Sequence, residues 1–234
     1  MAPFVLGIIP ARGGSKGIPR KNVLVIGGKP LIVHTIDDAR TSRLLTRTVV
    51  STDDSEIAAV ARAAGAEVVL RPAEFATDTA PIEGSLRHAV TTIEHGGARV
   101  DIVVWLSGNN PLRVDGVIDQ CVQKLIDTRC DSVQTVVPYR KPIEWSLRME
   151  GDRLLPSPAY RFVVRRQDCM PVYHLDGAVI VMRRDALMAA DDGSLGYPLF
   201  YGRDRRAVAH PAEVGIDLDD ELDLKFLRFV MDGK

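Results

Sequence analysis

Short β-branched runs alternate along this chain with segments of helical period, and that alternation restricts the fold more than any other feature. FVLGII (4–9), RTVVST (47–52), EVVL (67–70), DIVVWL (101–106), DSVQTVV (131–137) and GAVIVM (177–182) read as six strands. Between the second and third, DSEIAAVARAAG puts Ile57, Val60, Ala61 and Ala64 on one helical face, and Asp53 with Glu56 makes a capping-box pattern ahead of it. Residues 84–96 and 115–128 read as further helices. A last helix is expected from near Asp220, burying Leu222, Phe226 and Phe229. Apolar strands alternating with helices predict an α/β fold, a mostly parallel sheet covered on both faces. Ligands of such sheets bind beyond the carboxyl ends of the strands. The loops PARGGSKG, STDD and SGNNPLR follow the first, second and fourth strands, so all three are expected on one edge.

The 234 residues fit a single domain, 1–234, with enough apolar residues for a sizeable core. The rhythm breaks only at about 138–175, where five prolines, scattered aromatics and a hairpin-like MEGDRL predict a lid or a subunit-contact arm. Thirty basic and 31 acidic residues nearly cancel, so no bulk field draws the protein to nucleic acid or membrane. Cys121, Cys130 and Cys169 form no CxxC pair, which fits reduced thiols and a cytoplasmic protein rather than a disulfide framework. No targeting or membrane-spanning segment is read. The five histidines are scattered and read as core or surface residues.

PARGGSKGIPRKN, directly after the first strand, gathers Gly13, Gly14 and Gly17 with Arg12, Lys16, Arg20 and Lys21. Backbone N–H groups around clustered glycines form an anion nest, and the cations add charge, so a small anionic ligand is expected here. The P-loop pattern GxxxxGK[ST] and the dinucleotide pattern GxGxxG are both absent. Near the other end, IDLDD alternates Ile216 and Leu218 with Asp217 and Asp219. In an extended chain the two carboxylates face one way. Such a pair suits Mg²⁺ bridging to phosphate oxygens, while Asp219 is equally placed to cap the last helix.

These motifs together resemble the CMP-sialic acid synthetase (acylneuraminate cytidylyltransferase) family: IIPARGGSKGIPRKN, STDD, LRPAEFATDTA, NPLR, VRRQD and IDLDDELDLK, in that order and nearly end to end. The resemblance implies a Rossmann-like nucleotidyltransferase core of three layers. It also implies a homodimer whose arm reaches the partner's site. The activity implied is transfer of CMP from CTP to a 2-keto sugar acid, with release of pyrophosphate. Arg12, Lys16 and Lys21 would hold the triphosphate and act in catalysis with Asp217. Ala11, Gly13, Gly14, Ser15, Asn22 and Arg71 would complete the nucleotide site, Asp217 and Asp219 would bind Mg²⁺, and Arg166 would come from the arm.

Departures from the family gather where the acid should bind. Ser107 stands for a glutamine, and Asn109 and Asn110 for threonine and serine. Pro81 and Ile82 stand for a Ser–Ser pair associated with the nucleotide. His174, Asp176 and Ile180 replace arginine, asparagine and tyrosine. Ser107, Asn109, Asn110, Arg166 and Asp176 are therefore the expected acceptor-binding residues, with Arg113, Lys141 and Arg161 as candidate carboxylate clamps. Three alternatives stay open: a different acid acceptor such as another keto-deoxy sugar acid or a phosphonate, a sugar-1-phosphate nucleotidyltransferase, or a non-catalytic nucleotide-binding homologue.

Overall fold

In the computed structural model, which describes residues 2–189 and 198–233, each expected run becomes a strand or helix. The order is β1 (Val5–Pro10), β2 (Val25–Ile26), β3 (Lys29–Pro30), α1 (Leu31–Thr41), β4 (Arg47–Thr52), α2 (Ser55–Ala63), β5 (Glu67–Leu70), α3 (Ile82–His95), β6 (Ile102–Leu106) and α4 (Val117–Thr128). It continues with β7 (Ser132–Pro138), β8 (Leu147–Glu150), β9 (Arg153–Pro156), β10 (Tyr173–Arg183), α5 (Arg184–Met188), β11 (Arg205–Ala209) and α6 (Glu221–Asp232). Seven strands form one sheet in the order β11-β7-β10-β6-β1-β4-β5.

Side chains alternate across this sheet and build two apolar layers. Leu6 and Ile8 of β1 join Val49, Val103 and Met182 under the Leu86–Ala89–Val90–Ile93 face of α3. Val5 and Ile9 point the other way, toward Ile32 and Ile36 of α1, Ile57 of α2, and Val122 and Leu125 of α4. A third, smaller cluster joins Ile18 and Ile26 to Leu218, Leu224 and Leu227, and so fastens the last helix to the first loop. Among the described residues no helix is long and apolar enough to cross a membrane.

β10 departs from the parallel pattern, running antiparallel to both β6 and β7. Its beginning therefore lies at the edge where β1, β4 and β6 end, which carries HLDG (174–177) to the same edge as the other loops. The pairing with β7 shifts register between Leu175 and Ile180. Gly177 sits in that bulge at φ +68°, a conformation that favours glycine.

Three expectations change at the level of single residues. The cap of α2 is Asp54, which accepts from the backbone N–H groups of Glu56 and Ile57, rather than Asp53. The cap of α6 is Asp220, in a capping box with Asp223, so the Asp219 side chain has no capping role. Helix α6 buries Leu224 and Leu227, whereas Leu222, Phe226 and Phe229 face outward. Both sets have helical spacing, and the partner cluster at Ile18 and Ile26 selects the first.

Within 138–175, β8 and β9 pair as an antiparallel hairpin. Around it Met149, Leu154, Phe162, Val164 and Met170 are all exposed. Cys121 and Cys130 are buried free thiols, and Cys169 is half-buried.

Candidate active site

Beyond the ends of β1, β5 and β6 lies a cleft of about 540 Å³. Its floor starts at Ala11, whose N–H donates to Ser51 O at 2.9 Å and so ties the loop to the end of β4. Ala11, Arg12, Ser15, Lys16, Lys21, Asn22 and Arg71 all line the cleft, as do Ser107, Asn109 and Asp219. The expected convergence of an opening loop, a fourth-strand loop and a carboxylate from the last segment is thus present in one cavity.

Gly13 and Gly14 do not line it. The Gly13 N–H is taken by Asp53, at 3.2 Å, and a Cβ at Gly13 would fall 2.7 Å from the Asp54 carboxylate. Gly13 thus serves close packing of the loop on the STDD turn. Gly17 has a similar role: a Cβ there would lie 2.1 Å from the main-chain oxygen of Asp219. Arg20 points away from the cleft and pairs with Asp54 and Glu56 on the α2 side.

Each remaining cation is matched to a carboxylate. Arg12 and Lys16 both pair with Asp78, at 2.9 Å each, and Arg12 also donates to Thr77 O at 3.1 Å. The hydrogen bond from Lys16 holds the Asp78 carboxyl below the usual range. Lys21 pairs with Asp219 at 2.9 Å, and Asn109 Nδ2 donates to the same Asp219 oxygen at 3.1 Å. Asn22 is buried and donates from Nδ2 to Arg12 O at 3.1 Å, which fixes the turn of the loop.

Arg71 is buried at the other end of the cleft. Its Nη1 donates to Ser85 Oγ at 2.6 Å, its Nη2 lies 3.7 Å from Asp53, and its buried Nε has no partner among the described residues. Burial lowers its pKa and Asp53 opposes that. Ser85 in turn donates to Phe75 O at 3.1 Å. The resemblance placed a serine at Pro81–Ile82, and the chain instead turns a hydroxyl toward the cleft one helical turn later. Phe75, Ile82 and Trp105 form an apolar wall beside Arg71. Sequence reasoning missed Phe75, Asp78, Ser85 and Trp105, although LRPAEFATDTA contains the first two.

The acceptor-side expectations need correction. Ser107 does face the cleft, with Oγ donating to Gly177 O at 2.6 Å. Asn110 is fully buried, donating from Nδ2 to Asp217 Oδ1 at 3.3 Å and to Asp176 O at 3.5 Å. Asp176 is also buried, held by Thr135 and His210. Neither residue lines the cleft: their hydrogen bonds run to the protein itself, and Asn110 Oδ1 is buried with no partner among the described residues. Arg113 is no carboxylate clamp: it is buried and donates to the carbonyls of Ser107, Asn110 and Ala178 and to Asp38. Arg161 turns back on the carbonyls of Pro158 and Tyr160, and Arg166 lies in the 138–175 segment beside Tyr139 and Pro142, outside this cleft.

Asp217 is half-buried. Burial pushes its carboxyl up to about 6, Asn110 opposes this, and the charges of Asp219 and Asp176 add to it. Among the described residues no three His, Cys, Asp or Glu side chains converge as a closed metal site. Asp219 lines the cleft and Asp217 does not; these two carboxylates are the donors that could hold a hard cation, with ligand phosphate oxygens completing its shell.

A sequence profile described as "Cytidylyltransferase" matches residues 6–182. The chain belongs to the cytidylyltransferase family. It is 29% identical to a post-translational flagellin modification protein B of Campylobacter coli, over 98% of this chain and 96% of that protein. A pseudaminic acid cytidylyltransferase of Campylobacter jejuni is 28% identical over 96% of this chain and 95% of its own. An N-acylneuraminate cytidylyltransferase of Escherichia coli is 28% identical over the whole of this chain, which spans 54% of that protein. Among solved structures, a CMP:2-keto-3-deoxy-manno-octonic acid synthetase complexed with CTP superposes with a TM-score of 0.73 at 20% identity, covering 98% of this chain and 99% of that one. A 4-diphosphocytidyl-2C-methyl-D-erythritol synthase gives 0.72 at 15%. At such identities these two establish a shared nucleotidyltransferase fold. This cytidylyltransferase is accordingly an enzyme, and the non-catalytic reading left open by the sequence is set aside.

Proposed function

We propose that the enzyme transfers CMP from CTP to a nonulosonic acid, a sialic-type 2-keto sugar acid, in a Mg²⁺-dependent reaction that releases pyrophosphate. The observation that carries this reading is the meeting of Arg12, Lys16, Lys21 and Asp219 in one cleft, with Asp217 bonded to the loop behind it. In the reaction the anomeric hydroxyl of the acid loses its proton and attacks the α-phosphorus. The bond to the oxygen bridging the α- and β-phosphates breaks in line. Catalysis of that step rests on positioning and charge neutralisation. Arg12, Lys16 and Lys21 neutralise the departing pyrophosphate, and Asn22 fixes the loop that presents them. Arg71 and Ser85 face the nucleotide beside the Phe75 and Trp105 wall. Asp217 and Asp219 would hold Mg²⁺, which when bound would supply Lewis-acid polarisation of the phosphate oxygens. Ser107 and Asn109 face the acid. Two of the relatives are named for neuraminic and pseudaminic acids, which supports that acceptor class.

The test is to incubate the protein with Mg²⁺ and each nucleoside triphosphate against a panel of nonulosonic and other keto-sugar acids, following pyrophosphate. Release is expected with CTP and one nonulosonic acid. No release with CTP and any acid of the panel sinks the reading.

Asp78 leads to a second expectation. Its carboxylate occupies Arg12 and Lys16, so a triphosphate must displace it. Asp78→Asn is expected to tighten CTP binding by about fivefold, the scale of two exposed ion pairs. Titration calorimetry checks this, and weaker binding would make Asp78 a support of the loop instead.

We further propose that 138–175 crosses a homodimer interface and brings Arg166 to the partner's cleft. Exposed Met149, Leu154, Phe162, Val164 and Met170 support this, since a stretch of large apolar side chains on a surface marks an interaction site. Sedimentation is expected to give a dimer at micromolar protein, and a monomer at every concentration refutes the arm assignment.

A further inference from the structure

Behind the cleft lies a buried carboxylate–imidazole pair that the chemistry above does not use. The Asp176 side chain has no exposed surface and that of His210 is 4% exposed. His210 Nε2 hydrogen-bonds Asp176 Oδ2, and because a carboxylate only accepts, Nε2 carries the proton. The other oxygen, Oδ1, accepts from Thr135 Oγ1 at 2.5 Å and from the Ala178 N–H at 3.2 Å. Burial alone would raise the Asp176 pKa, but the bonds from His210 and Thr135 hold the carboxyl below its ordinary value. The charge is therefore present and fully partnered at neutral pH.

The pair joins three strands, since Thr135 is on β7, Asp176 on β10, and His210 directly follows β11. Its position gives it leverage on the site. Asp176 is the first residue of the β10 bulge, and the bulge carbonyls are the anchors of the fourth-strand loop. Ser107 Oγ donates to Gly177 O at 2.6 Å, and Asn110 Nδ2 donates to Asp176 O at 3.5 Å. The segment leading to Asp217 rests on the same bulge. A Cβ at Gly215 would lie 3.1 Å from the Asp176 Cβ, and one at Gly177 would lie 3.5 Å from Asp217 Oδ2. His210 begins that segment, its own N–H donating to Val136 O at 3.1 Å.

We propose that the Asp176–His210 pair is a positioning element: it clamps the β10 bulge to the start of the 210–219 segment and so sets the relative places of Ser107, Asn110 and Asp217. Where the family pattern has an amide, this chain has a carboxylate, and the imidazole is the partner that lets a charge sit there. A charge-assisted bond holds the two segments it joins against displacement more strongly than a neutral one.

Hydrogen exchange on the full-length, ligand-free chain tests this without any turnover. His210→Ala is expected to speed exchange at 107–110 and 213–219 by about tenfold or more, with α2 unchanged, since loss of a local anchor opens a local unit. His210→Gln, whose amide offers a donor at a similar reach, is expected to restore most of the protection. Unchanged exchange at both segments, or an equal rise throughout the sheet, overturns the proposal. If His210→Ala does not fold, Asp176→Asn, which keeps the side-chain volume, is read by the same criteria.

A second measurement rests on the assignment of Asp217 to Mg²⁺. CTP affinity is measured by calorimetry with and without Mg²⁺. The variants are expected to lose the Mg²⁺-dependent gain while metal-free CTP binding stays within twofold of wild type. Equal weakening with and without metal counts against a positioning role. A wild-type protein that shows no Mg²⁺-dependent gain refutes the metal assignment itself, and the exchange result then decides the positioning proposal alone.

Discussion

Asp217→Asn is expected to reduce turnover by about a thousandfold, the scale seen when a group that stabilises transition-state charge is removed. The substitution keeps the shape and one acceptor oxygen for the 3.3 Å bond from Asn110, so the fourth-strand loop stays anchored. What it removes is the charge, and with it half of the carboxylate pair proposed to hold Mg²⁺. Pyrophosphate release under saturating CTP measures the loss. The same variant is expected to be no less stable without ligand. Folding raises the Asp217 pKa from 3.8 to about 6, so ionising this group works against the fold. The native state favours its protonated form, and that advantage is full below the unfolded value and is lost as pH rises through about 6. The melting temperature of the variant should therefore exceed that of wild type at pH 8, with the difference shrinking toward pH 4. A rate within tenfold of wild type would show that the carboxylate is not a metal ligand.

The other large effect is expected at Arg113, and it is one of stability. The guanidinium donates to Ala178 O at 3.1 Å, Asn110 O at 2.6 Å and Ser107 O at 2.5 Å, and it pairs with Asp38 at 3.2 Å. It thus joins β10, the 107–110 loop and α1. Arg113→Ala takes the guanidinium donor from the Asn110 and Ala178 carbonyls and opens a void, while Ser107 O keeps the hydroxyl of Thr35 at 3.2 Å. A loss of roughly 2–6 kcal/mol follows, from two buried carbonyls left unpaired at about 1–3 kcal/mol each, with little from Asp38 because its side chain is 35% exposed. Arg113→Lys is expected to recover only part of it, because an ammonium cannot reproduce the planar fork. Urea unfolding followed by circular dichroism measures both. A change under about 1 kcal/mol for the alanine variant would mean that the loop holds its place without the guanidinium.

The layered sheet could be read from the sequence because each buried strand is a separate apolar run between helices. Among the elements that escaped that reading, two did so for different reasons. Helix α1 buries Leu31, Ile32, Thr35, Ile36 and Ala39 at helical spacing, but those residues are interleaved with Asp37, Asp38 and Arg40. Strand β11 is RRAVA, an edge strand in which only Val208 is buried, so it has no apolar run to detect. The direction of β10 is a matter of pairing and leaves no mark on composition. At the site, the cations and Asp219 were recognisable because they are charged residues in clustered loops. Asn110 and Asp176 were read as substrate contacts because they are polar and stand where the family pattern varies. A place in the cleft lining, which composition does not reveal, distinguishes a polar side chain that meets a ligand from one that braces the loop beneath it.

At Gly17 the first loop and the segment after β11 touch with no space for even one methyl group, since a Cβ would lie 2.1 Å from the Asp219 main-chain oxygen. Lys21 and Asp219 then close the same seam. The two halves of this contact are about 200 residues apart in sequence, at positions 17 and 219. A nascent chain therefore carries the glycine-rich loop long before it carries the carboxylate that loop must meet. Synthesis of about 200 residues separates the first half of the cleft from the second, and a ribosome-bound intermediate would hold the cations of the loop with no finished site around them.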